Sequence, residues 1–323
     1  MKYILKTSPA FKDYLWGGTR LKTEFGKVSD LTKVAESWEL SCHPDGPSTI
    51  INGADAGKTL ADWIAAEGSD VLGTRCAAFD RFPVLIKLID AKDNLSVQVH
   101  PDDAYGMRVE GEPGKTEMWY IMDCDPGATL LYGFNNEITK EEFAQRIQNN
   151  TLLEVATAVP VHKGDVFFIE AGTLHAIGAG ILIAEIQQNS NTTYRVYDYG
   201  RIGVDGKPRA LHIDKALEVT TLAPAAHPVS QGTVVAQTAS CTDRELAACD
   251  KFTVHALDLD GAVSRTAGAD SFHSLLVTEC TDEIIVTGKT NAVSLKLGES
   301  AFIPANSGAY TICGKGRVLL TTV

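Results

Sequence analysis

GDVFFIEAGTLHAI, at residues 164–177, is matched without a gap by GESAFIPANSGAYT, at residues 298–311. Each copy reads glycine, an acid, two further residues, Phe-Ile, one residue and an alanine. Duplication of one packing unit within a chain leaves such a weak repeat. The repeat therefore predicts two similar β-barrels. Ala309 stands where the first copy has His175, so a ligand role of this histidine would be lost in the second barrel.

Most of the remaining chain is typical of short strands. Runs rich in β-branched and aromatic residues end at Gly, Pro or Asp, a pattern typical of jelly rolls and related barrels. The runs are FPVLIKLID, EMWYIMD, DVFFIEAG, ILIAEIQQ, TTYRVYDYG, SLLVTE, EIIVTG and RVLLTTV. We therefore expect a mainly β protein with two jelly-roll barrels and a few short helices.

Three segments have helical patterns, at residues 59–73, 138–150 and 211–222. Thr59 and Thr139 stand at the start of the first two, where a hydroxyl can cap the helix. A boundary is expected near PAAHPVSQGTVVAQ, because it follows the third helix and contains Pro, Gly and small residues. The sequence thus predicts a catalytic barrel with helical insertions at residues 1–230 and a metal-free barrel at residues 231–323.

The composition excludes several classes of partner. The 323 residues carry 41 acids and 29 bases, a net charge of −12, which repels nucleic acid and anionic membranes. No run of 18 uncharged apolar residues occurs, and the first residues are not expected to act as a signal peptide, because they lack a long apolar stretch followed by a small-residue cleavage site. The seven cysteines are scattered and never form a CxxC pair, as is typical of reduced thiols. We expect a cytoplasmic protein with no nucleic-acid or membrane partner.

LSVQVHPDD, at residues 95–103, alternates apolar and polar side chains. Successive side chains of a strand point to opposite faces, so Ser96, Gln98 and His100 are expected on one face. That polar face must look into either water or a functional site.

Four residues are candidate metal ligands: Gln98, His100, Glu117 and His175. Two imidazoles, a carboxylate and an amide oxygen suit zinc or another borderline divalent ion, with room left for water or substrate. Singly, each has an ordinary alternative, since a histidine at a strand end is usually just hydrogen-bonded and a glutamate before a strand is usually solvated. Their combination favours the metal site.

QVHPDDAYG, GKTEMWYIMD and GDVFFIEAGTLHAIGAGILIAEIQQNSNTTYRVYDYGR, taken in order, resemble the cupin superfamily. Within it they resemble the type I mannose-6-phosphate isomerases, in the short bacterial form. The similarity extends from YLWGG and AESWELSCHP to RALHIDKAL, and it is thin after about residue 230. It implies a double cupin-like scaffold and one zinc ion per chain, bound by Gln98, His100, Glu117 and His175. It also implies the interconversion of mannose 6-phosphate and fructose 6-phosphate through an enediol.

The resemblance supplies three catalytic candidates, Arg195, Lys115 and Glu185. Arg195 matches the family's active-site arginine, and its ordinary alternative is a strand arginine paired with Asp198. Lys115 precedes Glu117 by two residues, in the position of the family's site lysine, and is otherwise a solvated loop lysine. Glu185 is an acid within the apolar run ILIAEIQQ. It is expected to be a base, a partner of Arg195 or half of a buried ion pair.

Three further residues are predicted to bind substrate. Lys87 lies within the apolar strand FPVLIKLID, and a buried lysine needs an anion. We expect it to point into the pocket with Ser96 and to contact the phosphate of a phosphorylated hexose. Glu36, in AESWE, is a weaker candidate for orienting the substrate.

Other interpretations remain open from the sequence. A metal-dependent cupin oxygenase would use the same fold, although Gln98 replaces a ligand that a redox-active iron site would more naturally take from histidine. A regulatory sugar-phosphate-binding cupin would keep the ligands and lose turnover. The family usually has proline where this chain has Glu170, a change that could loosen the placement of His175. Monomer and homodimer are both compatible with the sequence.

Overall fold

The computed structural model describes residues 2–203 and 206–323. Strands form most of its regular structure. They are β1 Leu5–Ser8, β2 Ala10–Lys12, β3 Glu36–Leu40, β4 Thr49–Ile50, β5 Val84–Ala91, β6 Val97–Val99, β7 Glu117–Cys124, β8 Thr129–Phe134, β9 Ala156–Pro160, β10 Val166–Ile169, β11 His175–Ala176, β12 Ile181–Gln188, β13 Tyr194–Tyr197, β14 Thr233–Gln237, β15 Cys241–Ala248, β16 Thr253–Ala267, β17 His273–Cys280, β18 Ile284–Thr287, β19 Ala292–Leu295, β20 Ser300–Ile303 and β21 Gly308–Thr322.

The α-helices are α1 Arg20–Thr23, α2 Leu60–Glu67, α3 Asp103–Val109, α4 Lys140–Gln148 and α5 Ile213–Val219. Short 3₁₀ turns occupy Gly53–Asp55, Ser69–Val71, Thr74–Ala78 and Leu152–Glu154. None of the helices in the described ranges is long and apolar enough to cross a bilayer. The prediction of a mainly β, cupin-like fold with few helices is confirmed.

The strands form three sheets. A six-stranded sheet has the order β10-β7-β12-β5-β3-β2, and a five-stranded sheet has the order β13-β6-β11-β8-β9. The third sheet runs β14-β15-β16-β21-β17-β20-β1-β4, with β18 bridging β21 and β19. Strands β1 and β4 thus join the large sheet that is built mainly by residues after 233, and the division at residue 230 stays a prediction.

The sheets stack in layers that separate distinct apolar cores. Trp119 and Ile183 of the six-stranded sheet share a core with Leu130 of the five-stranded sheet. The opposite face of the five-stranded sheet packs Val97 and other residues onto α4 and α5. The other face of the six-stranded sheet packs against the large sheet, in a core that includes Ile186 and other buried residues. The six-stranded and five-stranded sheets therefore face each other, and both direct side chains into the space between them.

The predicted helix starts are close to the observed ones. Thr59 and Thr139 cap α2 and α4, each accepting a hydrogen bond from the backbone N–H three residues later. Helix α2 ends at Glu67 rather than near residue 73, because Gly68 takes a φ of +88°, which stops the helix. Helix α3 was missed, although Asp102 caps it by accepting from the N–H of Tyr105.

The internal repeat has a structural counterpart. Strands β10 and β20 occupy equivalent positions in the two copies, and each is followed by a turn. Gly172 and Asn306, which align in the repeat, both have positive φ, at +89° and +64°. Glycine and asparagine are the residues that adopt this conformation most readily. The same backbone turn therefore leads to His175 in the first copy and to Ala309 in the second.

Candidate metal centre and adjoining cavity

The four predicted ligands come from both sheets of the first barrel. Gln98 lies in the middle of β6, His100 follows that strand, and His175 begins β11 directly opposite Gln98. Glu117 begins β7 in the six-stranded sheet. The expected alternation holds within β6, because Val97 and Val99 are buried on the other face. It fails at Leu95, before the strand, which belongs to the core between the two sheets and lines the cavity with Ser96. Two facing sheets thus bring together residues that are far apart in sequence.

Three donor groups meet within a small volume. The Nε2 atoms of His100 and His175 are 3.2 Å apart. Glu117 places Oε1 3.3 Å from Nε2 of His175 and Oε2 3.7 Å from Nε2 of His100. Nitrogen and oxygen ligands that bind one tetrahedral ion with bonds of about 2.0–2.2 Å lie roughly 3.3 Å from each other. The triad therefore has the spacing that a single divalent ion requires.

Backbone carbonyls fix the orientation of both imidazoles. Nδ1 of His100 lies 2.9 Å from the carbonyl of Thr192, and Nδ1 of His175 lies 2.8 Å from that of Thr173. A carbonyl only accepts, so each Nδ1 carries the proton and each Nε2 keeps its lone pair. Burial lowers the pKa of His175 to about 4, and burial together with Lys115 lowers that of His100 well below its usual value. Both rings are therefore neutral at pH 7 and available as ligands.

Glu117 is the clearest indication that the site takes a cation. Its side chain is fully buried, and neither carboxylate oxygen makes a hydrogen bond of good geometry. The ammonium of Lys115 lies 2.9 Å from Oε2 and is its one charged neighbour at short range in the described structure. Burial raises the pKa of Glu117 to about 7, although Lys115 opposes that shift. Buried acceptors without partners are costly, and a bound cation would remove that cost.

Gln98 completes the set on the cavity side. Its amide nitrogen lies 3.4 Å from Nε2 of His175. Rotation of the amide by 180° exchanges nitrogen for oxygen at that place. The side chain can therefore present an oxygen ligand without moving its carbon atoms, and it also lines the adjoining cavity.

A row of buried charges borders the triad on the six-stranded sheet. Lys87 and Glu185 are opposite each other on β5 and β12, and Nζ of Lys87 is 3.1 Å from Oε1 of Glu185. Lys87 also lies 3.9 Å from Glu36, and Lys115 lies 3.9 Å from Glu185. Burial opposes the charge of Lys87, but Glu185 and Glu36 outweigh it and raise its pKa. Lys87 is therefore charged although it is buried in a site of low polarity.

Two tryptophans orient the carboxylates of this row, a feature that the sequence analysis did not foresee. Nε1 of Trp119 donates to Glu185 at 2.9 Å, and Nε1 of Trp38 donates to Glu36 at 2.7 Å. Burial raises the pKa of Glu185, but Lys115 and Lys87 outweigh it, so the pKa is lowered to about 2. Glu185 is therefore a buried ion-pair partner of two lysines; the alternative that it pairs with Arg195 is wrong.

Arg195 lies beside Gln98 in the five-stranded sheet. Its Nε donates to the hydroxyl of Ser96 at 3.2 Å and its Nη1 to the carbonyl of Ala210 at 3.0 Å. His212, for which the sequence suggested no role, accepts from the backbone N–H of Arg195 at 3.1 Å. Among the described residues no carboxylate lies within ion-pair distance of Arg195, so its charge is available to the cavity.

Asp198 is not the partner of Arg195, so that alternative is also wrong. Its carboxylate instead pairs with Arg201 and Arg209, with Nε of Arg209 2.7 Å from Oδ2. Arg209 lines the same cavity as Arg195, a role the sequence analysis missed. The only signal was its place in RALHIDKAL, where nothing local separates it from a surface arginine.

The cavity between the two sheets has a volume of about 290 Å³. Every predicted catalytic and substrate-binding residue contributes to its wall, as does Gln98, while the His–Glu–His triad lies behind it. Its lining residues include Tyr14, Trp16, Glu36, Lys87, Ser96, Gln98, Lys115, Glu185, Asn191, Thr193, Arg195 and Arg209. The cavity thus has arginine and lysine side chains in its wall, as binding of a small polar anion would require, and a metal-type donor set behind Gln98.

Glu170, which replaces a usual proline, does not disturb this geometry. Its half-exposed carboxylate lies 3.1 Å from Nε2 of His227. His175 is nevertheless within 3.3 Å of Glu117 and 3.2 Å of His100. Hydrogen bonds from the neighbouring turn, such as Gly172 N–H to the carbonyl of His100 at 2.8 Å, hold the two histidine segments together.

Comparison with known proteins identifies relatives over the whole chain. Family models for the phosphomannose isomerase type I catalytic domain and the mannose-6-phosphate isomerase cupin domain match residues 4–123 and 242–323. Mannose-6-phosphate isomerase ManA of Bacillus subtilis is 40% identical over 97% of this chain and 96% of its own. A Streptococcus mutans mannose-6-phosphate isomerase is 38% identical over 94% and 93%. The crystal structure of the mannose 6-phosphate isomerase from Bacillus subtilis aligns over 100% of both chains, with a TM-score of 0.89 and 33% identity.

Proposed function

The chain belongs to the type I mannose-6-phosphate isomerase family, and we propose that it is a zinc enzyme that interconverts mannose 6-phosphate and fructose 6-phosphate. The observation that carries the proposal is the convergence of His100, Glu117 and His175, whose donor atoms all lie within 4.8 Å of one another. This triad lies behind a cavity whose wall contains arginine and lysine side chains.

We propose one zinc ion per chain, bound by the triad and by Gln98. Nitrogen and oxygen donors without a thiolate suit a catalytic zinc site, which leaves a position open for substrate. When bound, the ion would supply Lewis-acid stabilisation for the negative oxygens that develop during the reaction. The orphaned carboxylate of Glu117 and the two Nε2 lone pairs support this assignment.

The aldose–ketose exchange moves a proton between C1 and C2, and Lys115 is proposed as the group that transfers it. Its ammonium is buried, faces the cavity and lies 2.9 Å from Glu117 and 3.2 Å from His100. A buried amine that faces the substrate cavity is a candidate group for acid–base catalysis. Glu185 is proposed to hold Lys115 and Lys87 at this position.

The substrate phosphate is proposed to meet the cationic wall of the cavity. Arg195 presents a guanidinium that no carboxylate of residues 2–203 and 206–323 neutralises, and a guanidinium can bind phosphate through two parallel hydrogen bonds. Ser96 holds the Nε of Arg195, and Lys87 adds charge from the opposite sheet. Glu36, which is 3.9 Å from Lys87, is proposed to orient a sugar hydroxyl.

A metal titration tests the function directly. Apo-protein is titrated with zinc while fructose 6-phosphate formation from mannose 6-phosphate is followed in a coupled assay. Activity should rise until one equivalent is bound. Zinc binding without turnover would support a regulatory sugar-phosphate-binding protein, and iron with oxygen consumption would support an oxygenase; either result would refute the proposal. A cytoplasmic location is proposed from the scattered thiols and the phosphorylated substrate.

A further inference from the structure

The loop that carries Lys115 is anchored through the backbone on both sides of that residue. Gly114 N–H donates to Oδ1 of Asp103 at 2.9 Å. Thr116 N–H donates to Oε1 of Gln188 at 2.9 Å, and Gln188 N–H returns a bond to the carbonyl of Thr116 at 3.1 Å. The position of Lys115 therefore depends on two side chains that do not themselves face the substrate cavity.

These two anchors hold each other. Nε2 of Gln188 donates to Oδ1 of Asp103 at 2.8 Å, so that oxygen accepts two hydrogen bonds. The other oxygen, Oδ2, lies 2.7 Å from Nζ of Lys251. Burial opposes the ionised form of Asp103, but hydrogen bonds from Lys251 and Gln188 outweigh it and lower the pKa. The carboxylate is thus charged, and both of its oxygens have named donors.

Lys251 does not belong to the barrel that holds the metal-type site. It lies between β15 and β16 of the large sheet, within the segment that matches the cupin-domain model. Its ammonium also contacts the exposed carboxylate of Asp250 at 2.9 Å. The lysine therefore reaches from the second barrel to the first.

The loop is packed too closely for Asp103 to move alone. A Cβ atom added to Gly114 would lie 2.4 Å from the carbonyl carbon of Asp102 and 2.5 Å from the nitrogen of Asp103. These distances are far below van der Waals contact, so the two backbone segments are in direct contact. A shift of Asp103 must therefore be transmitted to Gly114 and to the next residue, Lys115.

We infer that Lys251 is a positioning residue for the reaction: through Asp103 it holds the loop that places Lys115 against Glu117 and His100. The metal-free barrel then contributes to turnover without touching the substrate. This inference rests on the proposed function for Lys115. It assigns the second barrel a role in turnover that the fold of either barrel alone does not indicate.

The test substitutes Lys251→Met, which keeps most of the side-chain stem and removes the charge. An ion pair that is partly exposed contributes up to about 1 kcal/mol, so kcat should fall about three- to fivefold with KM and zinc content unchanged. Lys251→Arg should restore kcat, because it restores the charge. Asp103→Asn should lower kcat similarly, and the double variant should be no worse than either single variant.

Two matched controls separate positioning from general stability. Lys163→Met removes an ion pair with Glu279, at 3.0 Å, that also joins the two barrels but lies away from the Lys115 loop. Asp250→Asn removes the other partner of Lys251. Both controls should keep the wild-type kcat. A loss of kcat in Lys163→Met equal to that in Lys251→Met would overturn the inference.

Hydrogen exchange gives a readout that does not require activity. The amides of Gly114 and Thr116 should exchange about three- to fivefold faster in Lys251→Met than in the wild type, in proportion to the lost ion pair. Unchanged exchange and unchanged kcat would refute the positioning role. If the wild type has no isomerase activity, the proposed function fails, but faster exchange at these two amides still demonstrates the contact.

Discussion

The two copies of the internal repeat differ in what their barrels enclose. In the first barrel the turn after β10 leads to His175, and the space beyond it contains buried Glu, Lys and His side chains. In the second barrel the turn after β20 leads to Ala309, and the core is filled by Leu257, Ile284, Ile312 and other apolar residues. Within the described residues after 230, the buried polar side chains are all Ser or Thr. One backbone design therefore supports either a charged site or an apolar core.

This contrast separates what stabilises the fold from what the site requires. Burying a charge costs several kcal/mol unless it is paired, and apolar side chains of similar size are often more stabilising. The second barrel shows that the fold does not need the charges. Their retention in the first barrel, as the row that contains Lys87 and Glu185, is therefore explained by function rather than by stability.

The substitution His175→Ala makes the first barrel like the second at the aligned position, and it should have the largest effect. Loss of one Nε2 donor from the triad should abolish bound zinc and reduce turnover by about 10³-fold or more. Metal analysis and the coupled assay measure both, and His100→Ala should behave in the same way. The control Ala309→His should bind no zinc, because that position lacks the other donors. Retained turnover in either ligand variant would refute the metal site.

Arg195→Ala should have the next largest effect. It removes a guanidinium that faces the cavity, and loss of one positioned charge donor typically costs about 10²–10³-fold in turnover. Zinc content should be unchanged, since Arg195 is not a donor of the triad. Arg146→Ala, which breaks surface pairs with Glu142 and Glu154, is the control and should remain active. Loss of zinc in Arg195→Ala would mean that its role is structural.

Lys87→Met tests whether the buried lysine serves the substrate or only the ion pair. If Lys87 binds the phosphate, KM should rise by about tenfold or more, because the substrate loses a hydrogen bond to a charged group. The free energy of unfolding should also fall by about 3–5 kcal/mol, because Glu185 and Glu36 lose a partner. Lys27→Met breaks another buried pair, 2.6 Å from Glu39, outside the cavity. It should lose similar stability and keep its KM; an unchanged KM in Lys87→Met would make Lys87 purely structural.

The smallest effect is expected for the pH dependence of stability, to which His273 of the second barrel contributes. Burial lowers the pKa of His273 to about 4, whereas an exposed histidine has a pKa near 6.5. The unfolded chain therefore binds more protons between about pH 6.5 and pH 4, and this group makes stability fall as the pH falls, by up to about 1.4 kcal/mol per pH unit. Urea unfolding of His273→Gln at several pH values should show a shallower slope.

Sequence patterns predicted the strands well and the polar contacts poorly. ILIAEIQQ forms β12 over its full length, because β-branched and aliphatic residues in a continuous run are typical of a buried strand. The Asp198 prediction failed for a different reason. Arg195 and Asp198 are close in sequence, but Asp198 pairs with Arg201 and Arg209 instead. Sequence spacing does not show which of three guanidiniums a carboxylate will bind. The hydrogen bonds of Trp119 and Trp38 to the carboxylates were not predicted, because a tryptophan in a strand usually indicates only a position in the apolar core.

The sequence by itself determined the β-rich class, the duplicated barrel and the residue types of the site, since side-chain period, turn residues and donor chemistry are local properties. Only the tertiary structure decided which charges meet. Gln98, Glu117 and His175 become neighbours because two sheets face each other, and Lys251 reaches Asp103 because the large sheet packs on the six-stranded sheet. Such contacts depend on the summed packing of the whole chain, which no single segment encodes.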